Sequence, residues 1–232
     1  MKLIFIILTL LITSLAFGDT DKYKELRLKQ CDEEIKHVGG PCLDGASRSY
    51  KGNLPEQHRN INGFLLSGNS FKEAEQIFGE APIWHSGDAA ASEYKVCYIS
   101  ESQKQKIVLV VASNSEMTGG KMVDELRLIQ GDVDFLNQCG TTLIKPENLR
   151  TKSGIYLGMP IKEFKKIMGE PSGINDGLLF YVYCERKPYK LGDTWCVENG
   201  KSMAERCSGI SARFINGMLQ WLTIIGFGDY VC

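Results

Sequence analysis

The sequence predicts an α+β fold of two tandem repeats, each a short helical segment packed on a three- to four-stranded antiparallel sheet and held by disulfides. Three observations predict it. The stretch Thr-Lys-Ser-Gly-Ile-Tyr-Leu-Gly-Met-Pro-Ile-Lys-Glu-Phe-Lys-Lys-Ile-Met-Gly-Glu-Pro at residues 151–171 recurs loosely at 68–82 as Gly-Asn-Ser-Phe-Lys-Glu-Ala-Glu-Gln-Ile-Phe-Gly-Glu-Ala-Pro. Aligned on Lys72/Lys162, Glu73/Glu163, Ile77/Ile167 and Gly79/Gly169, the copies lie about 90 residues apart, which suggests a duplicated small domain. Each copy is followed by runs rich in Val, Ile, Leu and Tyr between turn residues, and eight cysteines accompany them.

Each copy reads as a short helix with its own start and stop. Ser70 followed by Glu73 makes a capping box, and Pro160 stands at the aligned position of the second copy, where a missing amide proton costs nothing. Phe71, Ala74, Ile77 and Phe78 in one copy, and Ile161, Phe164, Ile167 and Met168 in the other, give one apolar stripe each. Gly79 and Gly169 suit a left-handed cap, and Pro82 and Pro171 stop the helix resuming.

At the amino end, residues 2–18 carry one lysine, an apolar run and the small-residue site Ala16-Phe17-Gly18, a secretory signal peptide too short to be a membrane span. The expected organisation is a signal peptide at 1–18, a disulfide-tied segment at 19–60 with one helix at 22–38, a first repeat at 61–145 and a second at 146–232. The product is expected to be soluble and periplasmic or secreted. With 43% hydrophobic and 24% charged residues the composition is that of a globular protein. A formal charge of -1 gives no footprint for nucleic acid or an anionic membrane. Lys162, Lys165 and Lys166 read as one solvated helix face.

Eight cysteines in an exported chain point to disulfides, with 105 pairings open in principle. The repeat narrows these to Cys97 with Cys139 and Cys184 with Cys232, leaving Cys31 with Cys42 and Cys196 with Cys207 as local pairs. No Cys-x-x-Cys is present, so neither a thioredoxin-type site nor a paired-cysteine zinc site is expected.

Strands are expected at 92–100, 106–113 and 122–130, and a hairpin around Asn216-Gly217, where both central residues need positive φ. With Ile215 opposite Met218, one hairpin face carries Ile210, Ala212, Phe214, Leu219 and Trp221 toward the helix; Ser211, Arg213, Gln220 and Leu222 point away. The same alternation puts Phe180, Val182 and Cys184 on the core side and Tyr181, Tyr183 and Glu185 outside, with Tyr94 and Tyr98 opposite Cys97. The outward sheet face is therefore expected to carry Tyr94, Tyr98, Tyr181, Tyr183, Arg213 and Gln220 as a surface for a protein partner, tyrosine giving rigid amphipathic contact area.

The stretch Leu157-Gly158-Met159-Pro160-Ile161-Lys162-Glu163-Phe164 to Gly169-Glu170-Pro171 resembles the corresponding motif of the SmpA/BamE outer-membrane assembly lipoproteins. Two such modules in tandem, spanning 60–232, resemble the β-lactamase-inhibitor-protein fold. The resemblance implies a non-enzymatic protein-binding surface on the sheet. No cysteine for lipid attachment follows the apolar run, which speaks against an outer-membrane assembly role; the first copy lacks a Met after Gly68, and no inhibitory loop matches residue by residue.

Catalytic and metal signatures are sparse. His37, His58 and His85 lie on three segments without metal-ligand spacing. Gly119-Gly120-Lys121 lacks the first glycine and the hydroxyl of a phosphate loop, and the Ser92-x-x-Lys95 spacing falls in an expected strand without its companion motifs. Asp32-Glu33-Glu34 reads as a solvated charge run. The expectation is an exported protein-binding module without catalytic residues, cofactor or metal, of the inhibitor or immunity type. The rivals are a structural or assembly component of the bacterial envelope and an exported hydrolase; the partner and the oligomeric state are not legible.

Overall fold

The computed structural model describes residues 50–86, 93–113, 122–175, 177–188, 196–198 and 201–230. The expected signal peptide and the helix expected at 22–38, with Cys31, Cys42, Cys232, His37 and Gly119-Gly120-Lys121, fall outside them. The described fold is sheet-rich α+β, with helices α1 (Phe71–Phe78) and α2 (Ile161–Met168). Strands β1 (Tyr50–Lys51), β2 (Asn60–Ile61) and β3 (Phe64–Leu65) precede α1. Between the helices lie β4 (Trp84–Ser86), β5 (Glu93–Glu101), β6 (Lys106–Ser113), β7 (Glu125–Gln130) and β8 (Gly140–Thr141). After α2 come β9 (Gly173–Asn175), β10 (Leu178–Pro188), β11 (Cys196–Glu198), β12 (Lys201–Ile215) and β13 (Met218–Tyr230).

Eleven of these strands form one large sheet in the order β1-β10-β12-β13-β7-β6-β5-β4, with β11, β8 and β9 attached to its sides, and β2 and β3 form a separate two-stranded sheet. The expected pair of three- to four-stranded sheets is joined because β7 and β13 pair antiparallel, Leu128 opposite Leu222 and Leu126 opposite Ile224. Burying these leucines and isoleucines against one another gives a continuous core across the join.

Both helices sit where their caps place them. The Glu73 carboxylate accepts from the Ser70 amide at 2.7 Å and from the Ser70 hydroxyl, and these bonds hold its pKa below the usual carboxylate range. Gly79 and Gly169 close the helices at φ 106° and 80°. Phe78 packs between Phe64 and Tyr98 at ring separations of 5.7 and 5.5 Å, and Phe164 meets Tyr181 and Phe214 edge-on at 5.7 and 5.3 Å. Gly140 marks a close approach of chains, since a Cβ there would collide with the Glu80 carbonyl beyond α1.

On β5 and β10 the helix-covered face is the reverse of the one expected, whereas Ile210, Ala212, Phe214 and Leu219 of the β12–β13 hairpin lie on the core side as expected. Val96, Tyr98, Leu109, Leu128, Tyr181, Ile210 and Leu222 line the core beneath the helices. Cys97, Val108, Val110 and Ile129 lie on the other face, covered in part by Val133, Phe135 and Leu136. Parity fixed which residues share a side, but both sides of β6 are apolar, so alternation could not say which side takes the helices.

The hairpin turns at Asn216 (φ 53°) and Gly217 (φ 76°), with Ile215 opposite Met218 and Phe214 opposite Leu219 as expected. A register shift then puts Trp221 opposite Arg213. The extra residue, Gln220, is a β-bulge that exchanges the two sides, sending Leu222 into the core and Trp221 to the other face.

Cys97 pairs with Cys139, as expected. Cys184 pairs with Cys207 rather than with Cys232, and Cys207 therefore is not the partner of Cys196. The reason is register: β10 and β12 place Cys184 and Cys207 directly opposite each other, with Cα atoms 4.1 Å apart.

Candidate functional site

The expected tyrosine surface is not a surface. Tyr98 and Tyr181 are both 0% exposed, and Tyr181 donates to the Gly169 carbonyl at 3.1 Å, tying the sheet to the end of α2. Tyr94 is half-buried beside His85, and Tyr183 stacks on Tyr50 at 5.0 Å. Burial raises the Tyr98 hydroxyl to about 12 and also raises Tyr181 and Tyr183. All four share one face, the helix-covered one; Arg213 lies half-buried on the other, and Gln220 occupies the bulge.

A cleft of about 970 Å³ opens elsewhere, lined by Asn60, Asn62 and Gly63 on one side and by 143–145, Asn148 and 150–152 on the other. Its first wall is the β2–β3 hairpin, turned by Asn62 (φ 54°) and Gly63 (φ 89°) in the same Asn-Gly manner as the β12–β13 hairpin. Ile61 and Phe64 anchor that hairpin in the core. Asn62 Nδ2 donates to the Asn148 carbonyl at 3.0 Å, and the Lys152 amide donates to the Asn60 carbonyl at 2.8 Å. The two walls are thus held at fixed spacing.

The second wall is fixed to the sheet. The Thr142 amide donates to the Ile99 carbonyl at 3.0 Å, and the Ser100 hydroxyl donates to the Ile144 carbonyl at 2.5 Å. Leu143 stands between these two anchored residues and is 99% exposed. A single exposed leucine is common on a protein surface; what distinguishes this one is its place on a fixed backbone in the lining of the cleft.

The cleft is also cationic. Lys145, Arg150 and Lys152 line it, and no aspartate or glutamate does. Arg150 donates to the Glu147 carbonyl and lies 5.7 Å from the Tyr156 ring centre, while Lys152 reaches the exposed Glu56 at 3.8 Å. Such an exposed pair is weak and leaves both charges available.

Beneath the cleft, His58 Nδ1 lies 2.8 Å from Ser153 Oγ, which lies 2.8 Å from Thr151 Oγ1. Together with the Ser153 amide bonded to the Gln57 carbonyl, this clasps residues 56–58 to the 151–155 turn. Burial holds the imidazole below its ordinary value. The unfolded chain therefore binds the extra proton first: this contribution to stability is present above about pH 6.5 and is lost as pH falls through the depressed folded value. Urea unfolding at about pH 5, 6 and 7 should show a His58→Gln variant with a flatter pH profile than the wild type.

Comparison with known protein families, characterised proteins and solved structures finds no match to this chain. The site is read from its own geometry.

A second polar group lies on the sheet face away from the helices. Arg127 Nη2 contacts Glu93 Oε1 at 2.7 Å, Arg127 also pairs with Glu125, and Lys95 pairs with Glu93 while lying 5.1 Å from the centre of the Trp84 ring. Ala112 sits between Lys95 and Glu125 in the register, and its small side chain leaves room for long side chains to meet across β6. Two cations and two anions balance, so the group can order the sheet face but offers no net charge to a ligand. Among the described residues no three His, Cys, Asp or Glu side chains gather as a metal site.

Sequence reasoning missed the cleft. Asn62-Gly63 carries the same hairpin signal as Asn216-Gly217, and it was the cue to look there.

Proposed function

We propose that this chain is an exported, non-catalytic protein-binding module of the inhibitor or immunity type, which engages its partner through the cleft around Leu143. The observation that carries the reading is a leucine 99% exposed on a backbone anchored at both neighbours, flanked by three cations. Apolar contact at the centre with charged groups around it is the usual anatomy of a recognition patch. Two disulfides and a signal-peptide-like amino end favour an oxidising compartment outside the cytosol. The order helix then strands, repeated after α2, with β7 and β13 meeting at the middle of the sheet, supports two copies of one module and the resemblance to tandem inhibitor folds.

One observation favours a hydrolase instead, the His58–Ser153 contact. The imidazole is buried and faces Ser153 through Nδ1, and no described carboxylate orients its other nitrogen, so the pair has the form of a clasp more than of an activated nucleophile.

Partner capture from the periplasm and culture medium tests the proposal. The wild type should retain a specific partner that a Leu143→Asp variant loses by at least about tenfold in affinity, with unchanged circular dichroism. Equal retention by both proteins would move the surface elsewhere. Hydrolytic activity abolished by Ser153→Ala, with no retained partner, would replace the proposal with the hydrolase.

A further inference from the structure

We infer that the cleft binds an extended, acidic protein segment carrying an aliphatic side chain that packs on Leu143. This rests on the binding-module reading and adds the chemistry of the partner. Lys145, Arg150 and Lys152 lie in a lining without a carboxylate, so an anionic occupant gains three favourable charges, competing at Lys152 with the exposed Glu56 3.8 Å away. Arg150 keeps most of its donor fork free after its one bond to the Glu147 carbonyl, and a fork suits a carboxylate by two parallel bonds.

The remaining lining selects a polypeptide over other polyanions. Asn60, Asn62 and Asn148 supply amide groups, which donate and accept at once and so match the alternating N–H and C=O of an extended backbone. The Asn60 side-chain oxygen already accepts from the Gly63 amide at 3.0 Å, so its Nδ2 is the group left to donate to a ligand. A single-stranded nucleic acid would look for aromatic stacking platforms along a basic groove, and no aromatic residue lines this one. Leu143 offers aliphatic contact in place of stacking. The chain as a whole, at a formal charge of -1, lacks the broad positive field that holds a phosphate backbone.

Selection of random peptides displayed on phage against the purified protein tests this. The enriched pool should be rich in Asp and Glu around a Leu, Ile, Val or Met, and a peptide synthesised from it should bind with an affinity that falls about tenfold or more in 0.5 M salt. A Lys145→Ala/Arg150→Ala/Lys152→Ala variant, all at exposed positions, should fold normally and lose that binding. An enriched pool without acidic bias, or one that binds the triple variant equally, overturns the inference. So does a dT20 oligonucleotide that binds more tightly than the selected peptide. If the captured natural partner is held by the triple variant but lost by Leu143→Asp, the acidic-segment inference fails while the binding-module reading stands.

Discussion

Replacing Arg127 with methionine should destabilise the protein by about 3–5 kcal/mol, the range found when one member of a buried ion pair is removed. Arg127 is 2% exposed and Glu125 0%, and the guanidinium bridges Glu125 and Glu93 from two different strands. Methionine replaces much of the aliphatic stem, so the loss comes mainly from leaving the buried Glu125 without the Arg127 cation, while Glu93 keeps Lys95, and less from a cavity. Adding Glu125→Gln to Arg127→Met should therefore recover a large part of the loss, which a purely steric account does not predict. Urea unfolding at pH 7 reads both, provided the slope of free energy against denaturant stays constant. A loss below about 1 kcal/mol in the single variant would show that water already screens this group, and the balanced network would then have no part in ordering the sheet.

That network shows what the sequence made legible and what it did not. Glu125 and Arg127, two apart in a strand whose other residues are apolar except the terminal Gln130, could have been read as opposite charges sharing one buried face. The helices were legible because their signals are local: a serine with a glutamate three on, a glycine, then a proline. The strands were legible from composition, and the β12–β13 turn from Asn-Gly alone. The sidedness of the sheet was not, because choosing between Ile107, Leu109 and Val111 on one face and Val108, Val110 and Cys97 on the other needs tertiary context. The bulge at Gln220 defeated parity for the same reason, as nothing in the local sequence marks an extra residue.

The cleft escaped for a different reason. Its strands β2 and β3 are two residues each, too short to show alternation, and Leu143-Ile144 is one apolar pair in a polar loop, which carries no period. Lys145, Arg150 and Lys152 form no run in sequence; the 3-10 turn Pro146–Asn148 and the Ile61–Thr151 bridge bring them to one wall. Cys184 was assigned by analogy between the two repeats, whereas its partner is set by the residue across the ladder, and that register is a property of the folded sheet.

The Cys97–Cys139 disulfide should contribute about 4 kcal/mol by the chain-entropy account, since it closes a sequence separation of 42 residues. A Cys97→Ser/Cys139→Ser variant should show this in urea unfolding, and Cys184→Ser/Cys207→Ser, across 23 residues, should lose about 3 kcal/mol. The first variant should also lose something the second keeps. Cys139 leads directly into β8, where Gly140 pairs with Tyr98, and then into Thr142 and Leu143. The same disulfide fastens Val133, Phe135 and Leu136 over the apolar patch of Cys97, Val108 and Val110. Cutting it frees the near end of the cleft wall while Pro146–Asn148 and the Thr151 contacts still hold the far end. Under conditions where both variants remain folded, peptide binding should weaken in the first and persist in the second, because ordering a loosened Leu143 wall has to be repeated at every binding event. Equal binding by the two would mean that the Ile99 and Ser100 contacts position Leu143 alone, and that the disulfide serves the sheet and not the site.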